Sequence, residues 1–173
     1  MALVRIPEGS YGSVLPALPG DRIVLLDDIQ DPGNVGTLVR CAAAFDCSGL
    51  LLSAKCADPF GPKAVQASAG ALMRPWIRRT DAYLAMVSEL KEQGYRLLCA
   101  DTEGRERMNF AGIGPVIIAF GNEGAGPSAD LLRHADDCFT IPMNCSAVES
   151  LNVAVSGAIA LFTAYSGQGG GRA

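Results

Sequence analysis

Short, continuous apolar runs alternate along the chain with segments whose apolar residues recur at helical spacing. Such runs are typical of strands buried on both faces, and the helical spacing predicts helices between them. The predicted strands are residues 23–26, 49–52, 96–100, 116–120 and 138–141. The predicted helices are residues 35–45, 62–70, 81–93, 128–134 and 149–165. This alternation predicts an α/β domain with a mainly parallel sheet covered by helices.

The two ends of the chain depart from this pattern. Gly and Pro recur at short intervals in residues 1–20, which predicts a linker or an extended lead-in. Residues 21–167 carry all the predicted elements and are long enough to form one domain with its own core. The Gly-rich tail, residues 168–173, is predicted to be flexible.

The net charge of −4 changes the expectation about partners. A protein that binds nucleic acid by itself usually carries a basic surface, so a local basic patch or another domain would have to supply phosphate contacts. One candidate patch surrounds Trp76 and comprises Lys63, Arg74, Arg78 and Arg79. The preferred interpretation of this group is a solvated charged edge.

The six cysteines form no C-x-x-C pair and mostly lie in apolar stretches. This usage is typical of buried free thiols in a reducing compartment. The chain has no apolar signal-peptide core and no apolar run of membrane-spanning length, so a soluble cytoplasmic protein is predicted. His134 is the only histidine, and no ligand cluster suits zinc. We therefore expect neither a metal nor a Ser-His or Cys-His dyad.

Residues 27–40 run from a strand through a polar loop into a helix, where α/β folds place their sites. Arg40 lies on a helix face whose other residues are small, namely Gly36, Thr37, Ala43 and Ala44. A long cation on such a face can meet an anion at the helix N-terminus. Alternatively, the small residues only allow close helix packing, and Arg40 extends into solvent.

Residues 116–128 run from a buried strand into a Gly-rich loop that contains Glu123. Gly124 to Ala129 fits G-x-G-x-x-A, the dinucleotide-binding fingerprint. We give this match little weight, because Glu123 would face a pyrophosphate and no strand ending in an acid follows at the required distance. A plain strand-to-helix turn is the other interpretation.

Residues 141–153 lead into a helix that is apolar on nearly every side. Such a helix is expected to be buried all round, against the sheet and against a second subunit. Ser150 and Asn152 would then lie at a buried helix start, where polar groups need partners. Helix capping alone would account for Ser150.

Together, these segments resemble the three motifs of the SpoU branch of the SPOUT RNA methyltransferases. The first is similar to N-x-G-x-x-x-R, with Asn34, Gly36 and Arg40. The second is similar to G-N-E-x-x-G at residues 121–126, and the third to I-P-M…S-L-N-V at residues 141–143 and 150–153. The resemblance extends from about residue 23 to residue 165.

The resemblance implies a deep C-terminal trefoil knot, an exception to the rule that chains do not thread themselves. It also implies S-adenosylmethionine as cofactor, an RNA substrate (tRNA or rRNA), and a homodimer with sites at the interface. Carried over, the residues lining the cofactor pocket are Phe120, Gly121, Asn122, Ile141, Met143, Ser150 and Leu151.

The implied reaction is methylation of a ribose 2′-hydroxyl, and the family proposal makes Arg40 the base. An arginine is a poor base, with a pKa above ~12, so our hypothesis is that Arg40 chiefly clamps the neighbouring phosphate. Asn34, Glu123, Ser150 and Asn152 would orient Arg40 and the hydroxyl. The alternatives are a dinucleotide-binding oxidoreductase, a knotted methyltransferase that acts on an RNA base, and a non-catalytic RNA-binding relative.

Two departures from the family pattern stand out. The loop between Ile141 and Leu151 is about one residue longer than expected, which affects the contacts of residues 144–149. Many members also carry an N-terminal RNA-recognition domain, and the opening of this chain is similar to the end of one. A catalytic fragment is therefore expected.

Overall fold

The computed structural model describes residues 5–105, 110 and 112–167, so the predicted flexible tail lies outside the described residues. The strands are Arg22–Leu26 (β1), Gly49–Ser53 (β2), Trp76–Thr80 (β3), Arg96–Arg105 (β4), Val116–Phe120 (β5) and Asp137–Phe139 (β6). The helices are Pro32–Ala44 (α1), Pro62–Ser68 (α2), Tyr83–Glu92 (α3), Ala129–His134 (α4) and Val153–Ser166 (α5). A 3₁₀ turn, Ala71–Met73, follows α2.

The strands form one parallel sheet in the order β3-β2-β1-β5-β4-β6. Val24 and Leu26 face a core shared with α1 and α5. Ile23 and Leu25, which alternate with them, face a second core shared with α3 and α4. Because helices cover both faces, β1 is apolar at each of these four positions. The predicted parallel α/β architecture is confirmed.

Strand β3, Trp76–Thr80, was missed by the sequence prediction. Two arginines interrupt its apolar pattern, and within the described part of the chain β2 is the one strand that it pairs with, at the sheet edge. Arg78 Nε donates to the Val14 carbonyl at 2.8 Å, and Arg79 Nε donates to the Cys56 carbonyl at 3.0 Å. Both side chains are half-buried and bonded to backbone. The expectation of a solvated charged edge is therefore wrong for these two residues.

The described part of the lead-in, residues 5–20, packs along this edge. Leu15 is buried, and the Ser10 carbonyl accepts a hydrogen bond from the Arg79 amide at 2.8 Å. Trp76 Nε1 donates to the Pro19 carbonyl at 2.9 Å. These contacts cover the outer edge of β3. An uncovered edge strand could pair with strands of other chains.

Helix α5 begins at Val153, four residues later than predicted. Asn152 is the N-cap, since its Oδ1 accepts hydrogen bonds from the amides of Ala154 and Val155 at 2.9 and 3.3 Å. The prediction that Ser150 could cap the helix is wrong, because Ser150 lies before the first turn. Strand β6 is also shorter than predicted and ends at Phe139.

One face of α5 is buried and the other is exposed. A Cβ on Gly157 would lie 2.2 Å from Leu38 Cδ2, so glycine allows α5 to pack closely on α1. On the other face, Val155 and Phe162 are 48% and 57% exposed. The prediction of a helix buried all round is therefore wrong for a single chain, and the trefoil knot and the homodimer stay predictions.

The six cysteines are free, as predicted. Burial raises the pKa of Cys47 to about 12 and also raises the pKa of Cys56 and Cys99. Cys145 differs, because it is exposed in the segment before α5. No helix among the described residues is long and apolar enough to cross a bilayer.

Candidate functional site

A cavity of about 400 Å³ lies where β5 and β6 end and alongside β4. Ligands of parallel α/β sheets bind beyond the carboxyl ends of the strands, and small-molecule sites measure roughly 300–1,000 Å³. The cavity is lined by all seven residues that the resemblance assigned to the cofactor: Phe120, Gly121, Asn122, Ile141, Met143, Ser150 and Leu151. Tertiary structure thus brings two segments of the chain into one pocket.

The loop after β5 depends on a glycine at position 121. A Cβ there would lie 2.2 Å from the Pro127 nitrogen, so no larger residue fits without moving backbone. Asn122 and Gly126 close the loop through two backbone hydrogen bonds of 3.0 Å. Gly126 has a φ of +72°, in the left-handed region that favours glycine.

The Asn122 side chain stabilises this loop. Its Oδ1 accepts hydrogen bonds from the amides of Gly124 and Ala125 at 2.9 and 3.0 Å. Its Nδ2 donates to the Asp28 carbonyl at 2.9 Å, which ties the loop to the segment after β1. Asn122 thus lines the cavity, as the resemblance implied, while its side chain bonds to the protein's own backbone.

Asp27 supports the same region and was not identified from the sequence. Its carboxylate is buried and accepts hydrogen bonds from the Tyr83 hydroxyl and the Ser128 amide, each at 3.0 Å. It therefore joins the end of β1 to α3 and to the start of α4. Burial raises the pKa of Tyr83 to about 12, and the Asp27 charge adds to this shift. The available signal was an acid that directly follows a buried strand.

Three predicted catalytic residues form a hydrogen-bonded chain. Asn34 Nδ2 donates to Glu123 Oε1 at 3.0 Å, and Asn152 Nδ2 donates to Asn34 Oδ1 at 3.1 Å. This chain connects all three sequence motifs, and Glu123 extends it to the cavity wall. Ser150, the fourth predicted orienting residue, lines the cavity but has no hydrogen bond to this group within the described part of the chain.

Asp31 positions Asn34 at the start of α1. Its carboxylate is the N-cap and accepts hydrogen bonds from the amides of Gly33 and Asn34 at 2.5 and 3.3 Å. The bond from Gly33 is the main cause that lowers the Asp31 pKa below its ordinary value. The cap defines where α1 begins, and hence the position from which the side-chain amide of Asn34 reaches Glu123.

Arg40 lies outside this cavity. It is exposed on α1 and lines a second cavity of about 480 Å³, together with Ala43, Ala44, Ala69, Gly70, Ala71 and Arg74. Within the described residues, its guanidinium makes no hydrogen bond or ion pair. A single chain therefore does not bring Arg40 into contact with Asn34, Glu123, Ser150 or Asn152.

Gly36 serves helix packing. A Cβ at this position would lie 2.2 Å from the Ala64 carbonyl oxygen and 2.7 Å from the Ala67 Cβ, both on α2. The packing interpretation of the small residues is therefore correct for Gly36, while Ala43 and Ala44 lie beside Arg40 as predicted. Among the described residues, no group of three His, Cys, Asp or Glu side chains is placed to hold a metal ion.

Most of the chain is similar to proteins of one family. The model of the SpoU rRNA Methylase family matches residues 21–162. An uncharacterized tRNA/rRNA methyltransferase of Synechocystis is 33% identical over 82% of the chain. The chain spans about half the length of this relative, 52%.

Solved structures give the same result. An AdoMet-bound rRNA methyltransferase from Sinorhizobium meliloti superposes with a TM-score of 0.79 at 30% identity, covering 88% of this chain and 58% of that one. A structure described for the 2-OH methylation of C/U34 on tRNA gives a TM-score of 0.73 at 26% identity, covering 84% and 95% of the two chains. With two of its three motifs lining one cavity and a family match over most of its length, the chain belongs to the SpoU rRNA Methylase family.

Proposed function

We propose that this protein transfers a methyl group from S-adenosylmethionine to the 2′-hydroxyl of an RNA ribose. The observation that carries the proposal is the chain Asn152–Asn34–Glu123 at the wall of a cavity of about 400 Å³. The reaction needs a small-molecule pocket beside polar groups that can orient a hydroxyl. The names of the relatives, tRNA/rRNA and rRNA methyltransferases, support RNA as the substrate class.

The cavity fits the cofactor in size and in chemistry. Phe139, Ile141 and Leu151 offer apolar surface for an adenine ring. Asp101 and Glu103, also in the lining, offer carboxylates to the cationic groups. When bound, S-adenosylmethionine supplies an electrophilic methyl group on a positively charged sulfur.

The protein's own contribution is alignment and charge. Asn34 holds the Glu123 carboxylate in one direction, and Asn152 holds Asn34 in turn. Positioning of two reactants can contribute ~7–11 kcal/mol to lowering a barrier. Arg40 binds the phosphate next to the target ribose, since its planar guanidinium matches phosphate geometry.

The position of Arg40 supports a homodimer. Arg40 faces a different cavity from the one beside Glu123, so a second copy is needed to complete the site. The exposed stripe of α5, with Val155 and Phe162, offers the apolar surface for such an interface.

Methyl transfer from labelled S-adenosylmethionine to total RNA tests the proposal. Digestion to nucleosides should recover the label on 2′-O-methyl nucleosides. Label on a base would instead support the base-modifying alternative. Absence of label, with retained RNA binding but no cofactor binding, would support the non-catalytic alternative.

Arg40→Lys tests the role of the guanidinium. We expect turnover to fall by on the order of a hundredfold, since lysine keeps the charge but loses the two-point contact. Arg133→Lys on α4, an exposed residue paired with Asp130, is the matched control. Turnover of Arg40→Lys close to that of the control would contradict any role that needs the planar group.

The dinucleotide alternative has no support in the geometry of α4. This helix has six residues, and two of the amide donors at its start are already engaged: the Ser128 amide with Asp27, and the Leu131 amide with Ser128 Oγ at 3.2 Å. A pyrophosphate would need such donors free. Calorimetry with S-adenosylmethionine and with NAD separates the two, and we expect heat only with the former.

A further inference from the structure

Most cations of the predicted basic patch are engaged within the protein. Lys63 pairs with Asp31 at 3.5 Å, and Arg78 and Arg79 donate to backbone carbonyls. Arg74 differs: its side chain is exposed and makes no hydrogen bond or ion pair within the described part of the chain. In the folded protein Arg74 therefore differs from the other three cations of the patch, because its guanidinium group is available to bind an anion.

Arg74 and Arg40 line the same cavity of about 480 Å³. The other described lining residues are Ala43, Ala44, Ala69, Gly70 and Ala71, so none of them supplies a carboxylate that balances the two charges. In a protein with a net charge of −4, this is a local concentration of positive charge. Two guanidinium groups that share a cavity repel one another, and an anion bound between them would remove that repulsion.

The fold builds this cavity through a left-handed turn. Ala69 and Gly70 have φ values of +49° and +85°, which end α2 and lead into the 3₁₀ turn beside α1. A Cβ on Gly70 would meet nothing within 4 Å, so the backbone conformation and not crowding favours glycine there. The alanine side chains that line the cavity are too short to cover either guanidinium group, so both arginines remain exposed to solvent.

We propose that Arg74 is a second RNA-binding residue, which together with Arg40 holds a phosphate of the RNA backbone in this cavity. The inference rests on the proposed function, because it takes RNA as the substrate. Guanidinium groups bind phosphate oxygens through paired, charge-assisted hydrogen bonds. Such contacts position the RNA without reading its sequence. Arg74 does not line the cofactor cavity of its own chain, so we expect its effect to fall on RNA binding.

Arg74→Gln in the full chain tests the inference by methyl transfer to total RNA. We expect kcat/KM for RNA to fall by about tenfold and kcat at saturating RNA to stay within about twofold. The dependence of log(kcat/KM) on log salt should become less steep by about 0.7–0.9, as for one lost phosphate contact. Arg74→Lys should keep the salt dependence, because the positive charge remains.

Arg96→Gln is the matched control, since it removes the same charge from an exposed arginine on β4, which three strands separate from β3. Calorimetry should give the same affinity for S-adenosylmethionine in both variants. If Arg74→Gln and Arg96→Gln have the same kcat/KM and the same salt dependence, the inference is wrong. Thermal melting checks that both variants fold.

A binding experiment separates failure of this inference from failure of the proposed function. Fluorescence anisotropy of a labelled oligouridylate measures RNA affinity without catalysis. If the wild-type protein transfers no methyl group, the proposed function fails, and weaker oligouridylate binding by Arg74→Gln than by Arg96→Gln still supports the phosphate site. The anion bound in this cavity could instead be free phosphate, and titration with inorganic phosphate tests this alternative. Phosphate binding that needs Arg74, with unchanged oligouridylate affinity, would overturn the inference.

Discussion

The side-chain amide of Asn34 donates a hydrogen bond to the carboxylate of Glu123, with 3.0 Å between Nδ2 and Oε1. The two residues are 89 positions apart. They meet because β1 and β5 are neighbours in the sheet, with Leu26 opposite Phe120, and each strand is followed by one of the two loops. Asn152 adds the third motif to this pair.

Replacement of Asn34 by Asp tests this contact. The change removes the donor and places a second carboxylate beside Glu123, where the two charges repel. We expect the turnover number for methyl transfer to fall by on the order of tenfold and cofactor affinity to change by less than about twofold. Gln93→Glu at the exposed end of α3 adds the same charge elsewhere and should keep wild-type turnover. Equal turnover in the two variants would contradict a role for the contact.

Replacement of Gly121 by Ala tests the loop that lines the cavity. The added Cβ would meet the backbone nitrogen of Pro127 at 2.2 Å, so the loop must shift. We expect the dissociation constant for S-adenosylmethionine, measured by calorimetry, to rise by about tenfold or more, and the protein to lose ~1–3 kcal/mol of stability. Gly114→Ala is the control, since its Cβ would meet nothing within 4 Å. Cofactor affinity equal to that of the control would show that the loop can adjust.

The contact between Tyr83 and Asp27 predicts a pH dependence of stability. The folded protein raises the pKa of Tyr83 from 10.0 to about 12, so the protonated hydroxyl is favoured by folding. This contribution is fully present below about pH 10 and is lost as the pH rises towards 12. Tyr83→Phe should therefore lose stability less steeply over this range, and it should be about 1 kcal/mol less stable at neutral pH.

Urea unfolding of both proteins at several alkaline pH values measures this difference. The buried thiols, including Cys47 with a pKa of about 12, titrate in both proteins and cancel in the comparison. Parallel stability curves for the two proteins would contradict the assignment of the effect to Tyr83.

Replacement of Val155 by Asp tests the proposed homodimer. Val155 is 48% exposed in the first turn of α5, where a carboxylate is compatible with the helix dipole. The charge would disrupt an apolar interface, so light scattering should give the mass of one chain for the variant and of two for the wild type. Leu18→Asp in the lead-in, at an 88% exposed position, should remain a dimer. A dimeric Val155→Asp would place the interface elsewhere.

Part of the candidate site could be predicted because its residues are close in sequence or belong to specific motifs. Gly121 and Met143 were assigned to one pocket through the resemblance, and both line it. Asp27 could not be identified, because a single acid after a strand has no distinctive spacing. Its partners, Tyr83 and Ser128, are 56 and 101 positions away.

The sequence alone determined the parallel α/β domain, because continuous apolar runs between helical patterns are stable only when both faces of a sheet are covered. It missed β3, because Arg78 and Arg79 interrupt the apolar pattern of this edge strand, and their side chains bond to carbonyls distant in sequence. Only the tertiary structure decided that Arg74 shares a cavity with Arg40 while Lys63 pairs with Asp31. The physical reason is that local propensity follows neighbouring residues, whereas charge pairing depends on which distant segments the fold brings together.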